Sequence, residues 1–408
     1  MQTIQSNPAS RAALSRDLSK PEAIPQEAIQ RAIELMQGGM LCRYGEEDAA
    51  AGEVSQLEKE YADYIGVPYV LGLNSCGCAM FVALKAAGVQ PGDKVLMNAF
   101  TLAPVPGSIA HAGAEAVMIE VTEDLTISLE DLEKKAADTG AKYLLLSHMR
   151  GHIADMEAVS ALCDRLGLIM IEDCAHTMGA GWNNRLTGTF GKIGCFSTQA
   201  YKHMNSGEGG LLITSDPDIA ARAILFSGSY MLYGQHAACP PLDVFEKYKY
   251  EIPNFSMRMS NLVGALLRTQ LQTLDDRCRR WNLNYRAIEA YLQNIPRVKV
   301  IKRDEKEQFV GSSIQFLLCD FTANQIIRIV EIAANHGVHI KWFGRQKPEG
   351  FTSRHFFWKF TENEVSLPET DAVLNGLCDI RVPVDLTDKE CKTVATVIRE
   401  SIGEVLNN

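Results

Sequence analysis

Between residues 69 and 172, five short apolar runs alternate with four stretches of helical periodicity, and that alternation constrains the fold more than any single motif. The apolar runs cover residues 69–73, 94–97, 116–120, 143–147 and 168–172. The helical stretches cover 79–87, 105–112, 128–137 and 156–166, the third opened by Ser128 as a cap. Short strands joined to helices by brief loops predict an α/β fold whose mostly parallel sheet is covered on both faces. Ligands of such sheets gather beyond the carboxyl ends of the strands.

Two further helices are expected upstream. One spans 21–36, with Ala28, Ile29, Ala32, Ile33 and Met36 on one face and Gly38-Gly39 as its stop. The other spans 53–65, with Val54, Leu57, Tyr61 and Tyr64 on one side. Residues 261–291 read as one long helix. Beyond it come strands such as 312–319, a helix over 323–336 and a terminal helix over 387–402. The expected organisation is a large ligand-binding domain over 1–270, including an N-terminal arm to about residue 50, and a smaller α+β domain over 271–408.

The net charge of −10 argues against nucleic acid or an anionic membrane as partner. No run approaches the ~20 apolar residues of a membrane span, and residues 1–20 lack the apolar block of a secretory signal. The eleven cysteines contain no Cys-x-x-Cys pair. The close pair Cys76 and Cys78 lacks partners at metal spacing, so no metal is expected. Cys163, Cys174 and Cys195 lie in apolar runs, as reduced buried thiols do, which points to the cytoplasm.

Three residues carry the chemistry. Asp173 follows the apolar run 168–172, His176 lies on the same turn, and Lys202 follows Cys195-Phe196-Ser197-Thr198 and precedes Gly207-Glu208-Gly209-Gly210. A carboxylate, an imidazole and a lysine at strand ends are what pyridoxal 5'-phosphate requires. The lysine amine condenses with the cofactor aldehyde, and the carboxylate keeps the pyridine nitrogen protonated so that the ring accepts electrons. Desolvation and a nearby positive ring lower the proton affinity of such a lysine. Each residue also has a plainer reading: Asp173 as a turn cap, His176 as a satisfied core histidine, Lys202 as a solvated loop lysine. Asn74-Ser75-Cys76-Gly77-Cys78 opens a helix after a strand, where free amides bind phosphate, and Ser197 adds a hydroxyl. No Gly-x-Gly-x-x-Gly fingerprint follows the first strands.

The chain resembles the DegT/DnrJ/EryC1/StrS sugar aminotransferases, a branch of the fold-type I pyridoxal phosphate enzymes, from about Gly39 to Leu386. The likeness rests on Ile171-Glu172-Asp173-Cys174-Ala175-His176, Gly188-Thr189-Phe190-Gly191, Phe196-Ser197 with Lys202, and Gly207-Glu208-Gly209-Gly210. Tyr44-Gly45, Pro91-Gly92-Asp93, Ala154-Asp155-Met156, Arg258-Met259-Ser260 and Val382-Pro383 support it. The resemblance implies a seven-stranded-type sheet and a homodimer with shared active sites. It implies Lys202 as the lysine that binds the cofactor, Asp173 as partner of the pyridine nitrogen and His176 as neighbour of the phenolic oxygen. Ser197 and the amides of Cys76 and Gly77 match phosphate ligands. The implied reaction moves an amino group from glutamate or glutamine to a keto or aldehyde carbon of a sugar, often nucleotide-linked.

Several positions depart from the family pattern. Ser75-Cys76-Gly77 stands where Ser-Gly-Thr is usual, so a threonine hydroxyl is lost. Leu102 occupies the place of the aromatic that stacks on the cofactor, with Phe100 nearby but pointing differently. Ser256 replaces an asparagine that reaches the partner's phosphate, and the segment 227–253 is longer than usual, shaping the acceptor pocket. Arg43, Tyr44, Arg150, Trp342 and Arg345 are candidate contacts for a polar or anionic substrate. The alternatives are a dehydratase or aromatising lyase of the same family and a non-catalytic cofactor-binding regulator. Dehydratases of this group carry histidine where Lys202 stands.

Overall fold

The structure is a computed structural model, and it describes residues 11–44, 49–347, 354–361 and 365–407. Gly45, part of the family likeness, lies outside them. Its main sheet is built from β1 (Tyr69–Leu73), β2 (Lys94–Asn98), β3 (Glu115–Ile119), β4 (Tyr143–Ser147) and β5 (Ile169–Asp173). After the short hairpin β6 (Gly181–Trp182) and β7 (Arg185–Leu186), β8 (Ile193–Ser197) and β9 (Gly210–Thr214) complete it. The order is β1-β9-β8-β5-β4-β2-β3. Neighbours from β3 to β8 are parallel, whereas β9 runs antiparallel to both β8 and β1. β1 therefore points the same way as the parallel set, and Leu73, Asn98, Ser147, Asp173 and Ser197 all end at one edge.

Helices cover both faces. Val54, Leu57 and Tyr61 join one core with Leu144, Leu146 and Phe196, while Ala79, Val82 and Ala83 join the other with Leu145, Ile171 and Leu212. Alternate residues of β4 thus point into opposite cores, as the pleat requires.

Helix boundaries follow the caps. Ser75, Ser128, Asp155 and Asp216 each accept a first-turn amide with their side chains. The helix expected over 21–36 is Gln26–Gly38. Pro21 and Pro25 disfavour helical backbone at the residues before them, which delays the start. Its buried face is Ala28, Ala32 and Leu35, packed toward the helix Asn261–Leu271, while Ile29, Ile33 and Met36 are exposed. The single helix expected over 261–291 is two, Asn261–Leu271 and Leu274–Leu292. Thr273 leaves helical geometry between them, and its hydroxyl donates to the Gln270 carbonyl at 3.2 Å, satisfying an acceptor at the end of the first helix.

A second sheet follows, formed by β10 (Val298–Val300), β12 (Ser313–Leu318), β13 (Lys341–Trp342) and β14 (Leu377–Arg381), in the order β10-β12-β14-β13. Its pairs are all antiparallel. The remaining strand, β11 (Glu307–Gln308), pairs with β6. Helix Leu274–Leu292 serves two cores: Leu274, Cys278 and Trp281 pack with the main sheet, Tyr285, Ile288 and Leu292 with the second. Leu14 and Leu18 are also buried in that second core.

Candidate active site

Asp173, the last residue of β5, is 5% exposed and faces away from its neighbour Glu172. One carboxylate oxygen accepts the Ser147 hydroxyl at 2.8 Å, and the other accepts the Ala175 amide at 3.1 Å. Thr101 in turn donates to Ser147 at 2.8 Å. Asn98 braces the Ser147 backbone, accepting its amide at 2.8 Å and donating to its carbonyl at 3.0 Å. The ends of β2, β4 and β5 therefore set the direction of one carboxylate.

Glu172 performs the opposite task. It accepts the amides of Gly188 at 2.8 Å and Gly191 at 2.7 Å and contacts His148 Nε2 at 3.1 Å. A Cβ at Gly191 would sit 2.5 Å from the Met170 carbonyl oxygen, which explains the residue type in Gly188-Thr189-Phe190-Gly191. His148, Glu172 and Cys174 form a group compact enough for a metal. Glu172 is already held by those backbone amides, so the group acts as a brace between β5 and the turn before β8.

Lys202 lies on the connection from β8 to β9. Its Nζ is 2.9 Å from His176 Nε2. Burial, and then Arg150, push the lysine down to about 8. Burial and the Lys202 charge hold His176 well below the usual histidine range, so its ring is neutral and accepts from the lysine amine. About one Lys202 in ten is then the free amine at pH 7, against roughly one in three thousand for an ordinary lysine. The strand that follows must pass close to the helix at Cys76: a Cβ on Gly210 would lie 2.5 Å from the Ser75 carbonyl carbon.

The helix Cys76–Ala87 points its N-terminus at the same place. Ser75 accepts the Cys78 amide at 3.1 Å with its side chain and the Ala79 amide at 3.0 Å with its carbonyl. The amides of Cys76 and Gly77 precede the first intrahelical bond and have no acceptor within the helix.

A cavity of about 1270 Å³ brings Cys76, Gly77, Leu102, Asp173, His176, Ser197 and Lys202 onto one wall system. Pyridoxal phosphate fits this set on three counts: a partly buried amine with lowered proton affinity, a braced carboxylate, and a helix N-terminus with two amides that have no acceptor within the helix. Ser197 accepts the Gln199 amide at 3.3 Å and keeps its hydroxyl at the cavity. Phe100 is fully buried, edge-on to Phe343 at 5.1 Å, and leaves the cavity to Leu102.

Other candidates are placed elsewhere. Ser256 is exposed and does not line the cavity, although Phe255 and Met257 do. Arg43 is buried in a bidentate pair with Glu58, 2.8 Å at each contact, and its Nη2 is 3.0 Å from His236. Tyr44 bonds His236 at 2.8 Å. Trp342 is buried and donates to the Asn375 carbonyl at 2.8 Å. Arg345 is partly buried and lies outside the cavity wall. Arg150 does line the cavity, as does Arg381, which sequence reasoning missed. Its position beside Val382-Pro383 was the available signal. Ser147 and Thr101 carried none, being ordinary hydroxyls until the fold brings them to Asp173. The ends of the segment 227–253 reach the cavity through Phe226, Pro253 and Asn254, while His236 ties its middle to Arg43 and Tyr44.

Comparison with known proteins places this geometry. Residues 22–399 match the DegT/DnrJ/EryC1/StrS aminotransferase family. The spore coat polysaccharide biosynthesis protein SpsC of Bacillus subtilis is 32% identical over 277 residues, 67% of this chain and 68% of SpsC. A pleiotropic regulatory protein of Geobacillus stearothermophilus is 32% identical over 230 residues, 56% of this chain and 57% of that protein. The alignment with the second thus spans little more than half its length. The aminotransferase from Psychrobacter cryohalolentis superposes with a TM-score of 0.83 at 21% identity, covering 95% of this chain and all of that one (100%). The chain belongs to the DegT/DnrJ/EryC1/StrS family and has the fold-type I architecture of pyridoxal phosphate aminotransferases.

Proposed function

We propose that this protein is a pyridoxal phosphate-dependent aminotransferase. In this reading it takes an amino group from glutamate or glutamine and delivers it to a keto or aldehyde carbon of a sugar or sugar-like acceptor. The observation that carries the reading is the partly buried Lys202 amine, 2.9 Å from a neutral His176 and in one cavity with Asp173. When bound, the cofactor supplies an electron sink that stabilises negative charge on the substrate carbon.

The residues divide the remaining work. Lys202 would hold the cofactor, and its Nζ would move a proton to and from the substrate carbon. Asp173, fixed by Ser147 and the Ala175 amide, would hold the proton on the pyridine nitrogen. The Cys76 and Gly77 amides and the Ser197 hydroxyl would take the phosphate. His176 orients the lysine amine and, being neutral, adds no repulsion to it.

The same reading carries a homodimer. Ile29, Ile33 and Met36 form an exposed apolar stripe on one helix, and Met231, Tyr250 and Phe255 are exposed on or beside the long segment. Both are surfaces a second copy would cover, with Ser256 beside one of them. All eleven cysteines are free, which supports a cytoplasmic setting. Among the described residues no helix is long and apolar enough to cross a membrane.

Lys202→Ala tests the reading. Turnover should fall by about 10,000-fold or more, and the visible absorbance of lysine-bound pyridoxal phosphate should vanish. Persistence of that absorbance in the variant refutes the assignment of Lys202.

A further inference from the structure

Lys202 is followed by a histidine that the reaction above leaves idle, and this ring decides what a neighbouring hydroxyl can do. His203 is 2% exposed. Its Nδ1 is 2.7 Å from the Met178 carbonyl oxygen, and its Nε2 is 3.0 Å from the Ser312 hydroxyl. A carbonyl only accepts, so Nδ1 carries a hydrogen. Burial pushes the ring down to about 4, against the Met178 bond and with the help of Lys202 and of Arg277 on helix Leu274–Leu292. Trp281 of the same helix packs on it, 5.1 Å between ring centroids. The ring is neutral at physiological pH, and Nε2 is a bare acceptor.

Ser312 therefore gives its only hydroxyl hydrogen to His203. Its backbone is held on both sides: the amide donates to the Val310 carbonyl at 3.0 Å, and the carbonyl accepts the Val382 amide at 2.9 Å. Among the described residues the hydroxyl has no other partner. Ser312 lines the main cavity, and a second opening of about 710 Å³, together with Tyr201, Lys202 and Arg381. An ordinary serine turns to donate or to accept. This one offers the cavity lone pairs alone, beside Arg381, which can only donate.

We propose that Ser312, turned by His203, is a specificity residue: it selects substrates that place an N–H or O–H against it over groups that only accept. The N–H would be a primary amide of the donor, the O–H a hydroxyl of the acceptor. The identity of those substrates rests on the aminotransferase reading, and the polarity of the site is added to it. A carboxylate, ester or ketone oxygen at the same place faces lone pairs with no hydrogen between them, and gives up its water without a replacement. Ser312 makes the contact; His203 is a positioning residue that acts through it.

The test is calorimetric titration of the cofactor-loaded protein with three chains that differ at one uncharged end: glutarate monoamide, 5-hydroxypentanoate and glutarate monomethyl ester. The amide supplies an N–H, the alcohol an O–H, and the ester neither. The wild type should bind the amide or the alcohol at least about tenfold more tightly than the ester. Preference for the amide assigns the group to the donor, and preference for the alcohol assigns it to the acceptor. Ser312→Ala should bring all three within about threefold of one another. His203→Phe keeps the hydroxyl but frees it to turn and donate, so the preference should shrink there too. A histidine that merely braced β12 against the turn after β5 would leave the ratio unchanged. Equal binding of all three by the wild type overturns the proposal, even if neither variant folds, and so does a preference that survives Ser312→Ala. Nitrogen-15 NMR of histidine-labelled protein reads the ring directly: His203 Nε2 should be unprotonated at neutral pH, and a protonated Nε2 overturns the proposal. The visible absorbance of the wild type reports separately on the cofactor: a coloured protein without the preference loses only the Ser312 assignment, and a colourless protein that keeps it loses the aminotransferase reading.

Discussion

Two polar clusters in this protein are made of similar groups and differ in how fully their charges are countered. Around Glu58, the carboxylate takes two hydrogen bonds from Arg43 and one from the Gly72 amide at 2.7 Å, and His236 closes the group through Arg43 and Tyr44. Arg43 and Glu58 are 2% and 0% exposed, and the cluster joins four parts of the chain. Around Lys202, the amine has one neutral neighbour, Asp173 has no cation in ion-pair range among the described residues and takes one donor on Oδ2, and Arg381 has no acceptor among the described residues. Burial of charge is common to both. A countered charge marks a cross-link, and charged groups left facing a cavity mark a candidate site.

The largest effect should come from breaking the ion-paired cluster. Arg43→Ala leaves the Glu58 carboxylate buried without its countercharge and should cost about 3–5 kcal/mol of stability, read by denaturant unfolding. The fraction that remains folded should still capture pyridoxal phosphate. A loss below about 1 kcal/mol would mean that the cluster is solvated and that the comparison fails.

Asp173→Asn probes the open cluster. The amide keeps the shape and an acceptor for Ser147 but removes the charge that would hold the pyridine proton. Turnover should fall about 100-fold with a stability change within roughly 1 kcal/mol. A large loss of stability with activity intact would make Asp173 a turn cap.

The smallest effect sharpens the Lys202 environment. With its proton affinity lowered to about 8 by burial and Arg150, the reactive amine accumulates as pH rises toward 8 and saturates above it. The rate at which the apoprotein captures pyridoxal phosphate should rise with pH through a midpoint near 8 and level about one unit above it. A midpoint above 10 would return Lys202 to the ordinary lysine range. A break near 6.5 would assign control to a histidine, against the direction found for His176.

Much of the fold is written locally. The strands over 69–73 and 143–147 and the helices over 53–65 and 156–166 lie where apolar periodicity and capping residues put them, because those signals act within a few residues. The N-terminal helix shows where that stops. Ile29, Ile33 and Met36 form as good a stripe as Ala28, Ala32 and Leu35, and only packing toward the helix Asn261–Leu271 selects the small-residue face. The break at Thr273 is likewise a side chain choosing a backbone acceptor in a stretch whose periodicity runs straight through.

The same division holds at the site. Asp173, His176 and Lys202 were legible because each follows an apolar run whose end must lie at the ligand edge of a parallel sheet, and that rule needs only the strand order along the chain. Ser147, Thr101 and Arg381 were not legible as parts of the site. Their roles depend on contacts between elements far apart in sequence, and a hydroxyl or a guanidinium looks the same whether its partner is water, a backbone carbonyl or nothing at all. The sequence by itself determined most of the elements and singled out Asp173, His176 and Lys202, which the fold brings to one cavity. Tertiary packing decided which charges are cancelled, as at Arg43, and which are left facing the cavity, because cancellation depends on distance in space and not along the chain.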